Sequence, residues 1–345
     1  MLGQSGLEQS AAGTPEPEAT AEEPIPGLVW AFRLHSDGRT EPLNVEAPIQ
    51  FLHDGRLWLH LNLADARARA WISGSGLPGL ARDLLLSKDN FQQLHAIEGC
   101  VYGLFSDLVR DIDNPTDETG FLRFVMTERL LISGRHHALC AVDATRRVLE
   151  GGHRVESVAA LLEKIVEEVA DTIDRAADRI GTEIDAVEER LLAGRVEPNM
   201  RAQLGRQRRV CVRLHRQLSG LRVLFHRLEQ KNPDALSPAL RIHAGKLAQR
   251  LDGLDHDIIE LRERSRLLEE ELHYKLEEES NRHLHALSVV TMMLLPPTLV
   301  TGIFGMNTKG LPLTDVETGF LWAAGFMIGS SGIAYLIMRR LGIIR

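Results

Sequence analysis

LHALSVVTMMLLPPTLVTGIFGMN, from Leu284 to Asn307, and GFLWAAGFMIGSSGIAYLIM, from Gly319 to Met338, decide how this chain is built. Neither stretch contains Asp, Glu, Lys or Arg. Each is long enough as a helix to cross a bilayer core, which takes roughly 20 apolar residues at 1.5 Å per residue. Everything ahead of them is charged and polar. The sequence therefore predicts an α+β membrane protein: an N-terminal α/β domain with a mixed sheet, a long helical stalk and two C-terminal transmembrane helices.

The flanks orient the hairpin. Arg339, Arg340 and Arg345 follow the second span and Arg282 precedes the first. By the positive-inside rule both termini then lie in the cytoplasm, with a short tail at 339–345 and the 308–318 loop outside. Lys309 in that loop is one dissenting charge. Residues 1–24 lack a basic start and an apolar core and are rich in Ala, Glu, Pro, Thr and Ser, which predicts a disordered tail rather than an export signal.

Composition narrows the partners. A 345-residue chain with 44% hydrophobic and 26% charged residues can bury a real core; its mean hydropathy of -0.11 averages a polar domain with an apolar end. A net charge of -8 argues against nucleic acid as the partner and suits a protein that handles cations. Cys100, Cys140 and Cys211 have no C-x-x-C spacing, so reduced thiols are expected rather than disulfides or a zinc ribbon.

From residue 25 to 150 short β-type runs alternate with helical ones. The runs Leu28–Phe32, Leu57–Leu61, Cys100–Phe105, Phe121–Met126 and Leu130–Ile132 read as strands, and Arg67–Ile72 and Leu80–Leu86 as helices. A helical arm follows over 151–235. Val155–Arg195 has apolar residues at helical spacing, and Pro198 opens a second helix that runs to about Lys231, where Asn232-Pro233 breaks it. Ser237-Pro238 starts a third helix, the stalk over 236–283. Leu247, Leu251, Leu254, Ile258, Leu261, Leu268 and Leu272 form its heptad seam, with Ser265 as the polar member. That seam is expected to pack on the two preceding helices and to continue as a rigid rod into the first span, 284–307.

Within that span the heptad count places Asn281, Leu284, Ser288, Thr291, Leu295, Thr298, Gly302 and Gly305 on one line. Polar residues in a span usually face protein or water. A water-filled lumen surrounded by identical helices is one reading, and it requires an oligomer. Tight helix packing through small residues, with Ser and Thr bonded back to their own helix, is the other. Pro296-Pro297 removes two backbone donors in mid-span and frees the carbonyls of Met292 and Met293, which local rebonding could absorb. At the outer end, a ring of Asn307 carboxamides over Gly305 carbonyls would offer a hydrated cation neutral oxygen ligands.

Gly305-Met306-Asn307 at the end of the first of two C-terminal spans, after a long stalk and an α/β domain, resembles the CorA superfamily of divalent-cation transporters. The likeness covers nearly the whole chain from Ile25. Trp58-Leu59-His60-Leu61-Asn62, the run Leu295–Gly305 and Gly310-Leu311-Pro312 resemble its zinc-transporting ZntB branch. Met306 is the form usual in magnesium and cobalt members, yet the loop Thr308–Pro312 lacks their acidic Met-Pro-Glu. The resemblance implies a funnel-shaped homopentamer in a bacterial inner membrane, with the first span lining the pore. Gly305, Met306 and Asn307 would then form the entrance. Asn281, Leu284, Ser288, Thr291, Leu295, Thr298 and Gly302 would line the pore, and zinc transport would be proton-coupled.

Neither span holds an Asp or Glu to carry protons, which leaves His285 as the nearest group titrating around neutrality. His283, His285 and Glu279, with Glu277 and Glu278 a turn earlier, are the metal-ligand candidates, since imidazole and carboxylate suit zinc. Solvated interfacial charge is the plainer account of them, because residues two apart on a helix face different sides. His60, His95, His136 and His137 show no ligand spacing and read as core or surface histidines. Uptake is the expected direction, as an inside-negative potential favours entry by ~2.3 kcal/mol per charge per 100 mV. Zn2+ is the expected cargo, with Cd2+, Ni2+ or Co2+ also carried and no resident cofactor. The rivals are a Mg2+/Co2+ channel of the same superfamily and a membrane-anchored sensor or adapter that conducts nothing. No phosphate loop, nucleophile elbow or paired metal motif points to an enzyme.

Overall fold

The computed structural model describes residues 23–51, 55–97, 99–110, 115–230, 242–306 and 318–343. Most of the N-terminal tail, the Asn232-Pro233 break, the Ser237-Pro238 helix start, Asn307 and nearly all of the 308–318 loop lie outside the described residues. By its contacts the chain forms two compact units. One takes Met1–Ala193 with Asn199–Arg266, the other Gly194–Pro198 with Leu267–Arg345.

The first unit holds a sheet of β1 (Leu28–Leu34), β2 (Thr40–Leu43), β3 (Arg56–Asn62), β4 (Gln93–Ile97), β5 (Cys100–Arg110), β6 (Pro115–Met126) and β7 (Leu130–Arg135). Their order is β2-β1-β3-β7-β6-β5-β4. Every described pairing is antiparallel except β3 with β7, which makes the sheet mixed, as expected. All five expected strands are present. β5 and β6 extend well past the apolar runs that announced them, because Ser106 and Asp107 are polar yet buried inside β5.

Helices cover both faces of the sheet. α1 (Ala66–Ser73), capped by Asp65 on the Arg67 N–H, and α2 (Gly79–Leu86) enclose a core that includes Leu57, Leu59, Leu61, Ile72, Leu85 and Ile132. α3 (Cys140–Glu150) and α4 (Val158–Leu192) pack on the other face. Ser157 caps α4 by accepting from the Ala160 N–H at 3.0 Å. α5 (Met200–Gln230) begins two residues later than the Pro198 start predicts, with Pro198 in the turn ahead of it.

α3 was not announced by the sequence, and its start explains why. Its cap residue, Leu139, has no side-chain acceptor. Asp107, on β5, supplies one: its carboxylate accepts from the Ala141 N–H at 2.8 Å and from its neighbour Leu108 at 2.7 Å. Burial pushes this carboxyl up to about 7, against the pull of those backbone donors. The three cysteines are buried and free; burial raises Cys100 to about 12 and Cys140 and Cys211 to about 11, the behaviour of inert thiols.

α6 runs without a break from Ala244 to Phe304, 61 residues, and contributes to both units. In the first unit its heptad seam packs as expected. Leu247, Leu251, Leu254 and Ile258 are buried, and Ser265 donates to the Leu204 carbonyl of α5 at 3.1 Å. His215 and Arg222 of α5 reach Asp255 of α6 at 2.6 and 2.9 Å. α7 (Gly319–Arg340) completes the second unit. Both α6 and α7 are long and apolar enough to cross a membrane.

Candidate functional site: one face of the first membrane helix

The sides of α6 within the second unit are set by what α7 covers. Val289, Pro296, Pro297, Val300 and Phe304 are half-buried on this otherwise exposed stretch. Phe304 stacks on Phe326 of α7 with ring centroids 6.4 Å apart, and Val300, Ile303 and Phe304 line an apolar groove with Gly325, Phe326, Gly329, Ser330 and Ile333. The predicted stripe lies elsewhere. Asn281, Leu284, Ser288, Thr291, Leu295, Thr298, Gly302 and Gly305 are all exposed. At 100° per residue their line is displaced by roughly 180° from the side facing α7. The hairpin therefore does not use the stripe for its own packing. An added Cβ at Gly302 would meet nothing within 4 Å.

The threonines have a defined chemistry. Thr291 donates to the Leu287 carbonyl at 2.8 Å and Thr298 to the Leu294 carbonyl at 2.7 Å. Their hydroxyl protons are thus spent inside the helix. What they turn outward is oxygen lone pairs, acceptors only, the polarity that suits a cation or its hydration water. At the helix end the Gly305 N–H still reaches the Thr301 carbonyl at 2.8 Å, while Met306 tightens to the Ile303 carbonyl at 3.3 Å. Asn307, the third member of the predicted entrance, lies outside the described residues.

Pro296 and Pro297 sit inside the helix. The carbonyl of Met293, which loses its usual donor to Pro297, meets the Ser331 hydroxyl of α7 at 3.5 Å, a long bond. Ser331 is a contributor that sequence reasoning missed, for nothing in its own neighbourhood names Met293 as partner.

The metal-ligand candidates do not converge within one chain. His283 faces Glu279 along its own helix at 3.9 Å. His285 Nε2 donates instead to the Ile343 carbonyl at 2.8 Å, so that nitrogen carries a proton. Ile343 is brought there by the end of α7, where Gly342 at φ +72° lets the Ile343 N–H bond back to the Met338 carbonyl at 2.9 Å. Glu277 pairs with His273 at 3.2 Å and Glu278 with Arg282 at 3.4 Å, so the acidic run is engaged along its own exposed surface. Among the described residues no group of three or more His, Cys, Asp or Glu side chains could hold a metal ion. His60, by contrast, is a core histidine as expected: fully buried, stacked on Trp30, and held well below its ordinary value by burial.

Comparison with known proteins places this architecture. Residues 53–340 match the family model described as CorA-like Mg2+ transporter protein. The chain is similar to the zinc transport protein ZntB of Cronobacter sakazakii, 26% identical over 319 residues that cover 92% of this chain and 94% of the relative. It is also similar to the divalent cation transporter CmaX of Pseudomonas aeruginosa, 29% identical over 324 residues, 91% and 96% of the two chains. The solved structure of full-length CmaX matches with a TM-score of 0.75 at 26% identity, over 91% of this chain and 98% of that one. The CorA magnesium transporter of Methanocaldococcus jannaschii shares the fold, with a TM-score of 0.69 at 19% identity over 92% and 99% of the two chains.

Proposed function

We propose, for a chain that belongs to the CorA-like Mg2+ transporter family, that it carries Zn2+ into the cytoplasm of a bacterium as a funnel-shaped homopentamer of the inner membrane, both termini inside. The observation that carries the reading is the exposed stripe on α6: it lies on the side away from α7, and its threonine protons are already used within the helix. Five such faces around an axis would enclose a water-filled path lined by acceptors. Asn307 and Gly305 would hold a largely hydrated ion at the entrance. Thr298, Thr291 and Asn281 would serve as polar steps, and Leu295 and Leu284 as apolar constrictions that gate by dewetting.

Zinc as cargo rests on the similarity to ZntB, with Cd2+, Ni2+ and Co2+ as further ions. Proton coupling would run through pore water, since neither span holds Asp or Glu, with His285 at the inner end as the titratable group. A Mg2+/Co2+ channel is the second reading, and Met306 favours it. Flux of each metal into proteoliposomes, with and without a pH gradient, separates the two. Zinc flux that rises with an inward proton gradient is the expected result; magnesium flux indifferent to it would establish the second reading. Asn307→Ala should abolish flux while the oligomer persists, and full activity of that variant would remove the entrance role.

A further inference from the structure

On the sheet face covered by α3, cationic side chains outnumber anionic ones among the described residues. Asp143, buried in the first turn of α3, is ion-paired with three guanidinia: Arg110 at the end of β5, Arg146 at 3.2 Å and Arg147 at 3.3 Å. Arg146 also holds Glu150 at 3.1 Å. A fourth guanidinium, that of Arg135 at the end of β7, lies 5.3 Å from the centre of the Trp30 ring, and Arg146 lies 5.5 Å from the same ring. Among the described residues four arginines therefore share two carboxylates. Arg135 is half-buried, yet its guanidinium has no hydrogen-bond acceptor and no ion pair among the described residues.

Other donors in the same place are also unmatched. The indole N–H of Trp30 and the Nε–H of Arg146 are both buried without a partner among the described residues. Trp30 is 9% exposed and held rigidly: it stacks on His60 at 4.1 Å, and His60 Nδ1 meets the Ser133 hydroxyl at 2.8 Å, to which Trp58 donates at 2.8 Å. Strand pairing sets this row, with Trp30 opposite His60, His60 opposite Ser133, and Arg135 two residues along β7 on the same face. Burial lowers the Arg135 pKa; Asp143 opposes that, and Arg110 and Arg146 add to it. Buried donors and a half-buried charge without an acceptor are costly, and a group that accepts only and carries negative charge would offset that cost.

We propose that Arg135, Arg146 and Trp30 form a binding site for a phosphate-type oxyanion on the sheet domain of this protein. Such an ion offers acceptors in several directions at once and matches the planar fork of arginine. The ring of Trp30 is engaged by His60 and by the guanidinia, which leaves no face for a stacked base. The ligand is thus a phosphoryl group itself, either inorganic phosphate or the end of a phosphomonoester.

The test uses the full-length protein in detergent, with phosphate titrated against chloride at constant ionic strength while tryptophan fluorescence and thermal unfolding are followed. The expected result is a saturable fluorescence change with a rise in Tm of a few degrees, as for any ligand that binds only the folded state. Arg135→Gln should weaken the response by about tenfold or more, and Arg135→Lys, which keeps the charge without the fork, by less. AMP in place of phosphate distinguishes the sources: an equal response assigns a phosphomonoester end, and phosphate alone assigns the free ion. A wild type that does not distinguish millimolar phosphate from chloride overturns the proposal. So does an Arg135→Gln variant with an unchanged phosphate response, or one whose sole defect is loss of the oligomer, which would make a carboxylate of a second copy the missing acceptor.

Discussion

Replacing Thr298 by valine isolates the one property on which the pore reading turns. The two side chains have nearly the same shape, but valine removes the oxygen whose proton goes to the Leu294 carbonyl at 2.7 Å and whose lone pairs face outward. The backbone ladder of α6 remains, so stability should change by less than about 0.5 kcal/mol. The effect on an ion is larger. Each lost bond to a hydration water is worth roughly 0.5–1.5 kcal/mol, and two or three such bonds made at once by a ring of five give roughly 1–4 kcal/mol. That corresponds to zinc flux lower by about 5- to 1,000-fold. Thr301→Val is the control: Thr301 bonds to the Thr298 carbonyl at 2.9 Å and lies off the stripe, so its flux should stay within about twofold of wild type. Zinc entry into proteoliposomes carrying a metal-sensitive dye, with oligomer size checked by gel filtration, reads both variants. Equal losses from the two substitutions, or full flux through Thr298→Val, would refute the reasoning, because the stripe would then be no different from the rest of the helix surface.

Two further outcomes concern the sheet domain. With its carboxyl at about 7 rather than the ordinary 3.8, Asp107 holds a proton in the folded chain that the unfolded chain has released, so stability falls as pH rises through that window. Relative to Asp107→Asn, the full-length wild type should lose up to roughly 4 kcal/mol between pH 4 and 7.5 in denaturant titrations; a constant difference would mean that the backbone N–H bonds outweigh burial. Gly103→Ala would put a Cβ 2.4 Å from the Gln93 carbonyl oxygen and 3.1 Å from the Leu94 Cα, both backbone atoms of the edge strand β4. A cost of about 1–3 kcal/mol is expected, with faster amide exchange confined to residues 93–97, and unaltered exchange there would contradict the close approach.

The parts of this fold that were legible in the sequence are those whose cause is local. Apolar runs marked β1, β3 and β7, and heptad spacing marked the seam of α6, because burial on one side imposes a period on the chain itself. The parts that were not legible depend on residues far away in sequence. α3 takes its cap from Asp107, a strand residue 34 positions before Ala141, so its first turn carries no signal of its own. β2 has Glu41 and Pro42 within four residues and qualifies as a strand only by pairing with β1 at the sheet edge. The Trp30–Arg135–Arg146 cluster is assembled from two strands and a helix and has no motif.

The membrane hairpin shows the same division at closer range. Pro296-Pro297 can be read as the weak point of α6 from the sequence, since each ring removes a donor. The support for that weak point cannot, because the Ser331 hydroxyl that approaches the Met293 carbonyl belongs to α7, 38 residues on. His285 repeats the case: its partner, the Ile343 carbonyl, is 58 residues on and is presented by the turn at Gly342. Both contacts fall on α6 groups outside the threonine line. The second span thus braces the first at its proline break and at the end that carries His285, and the stripe faces away from it. That division of labour is what the proposed pore-lining role of α6 would need, for the bonds that hold such a helix must not use the surface an ion would meet.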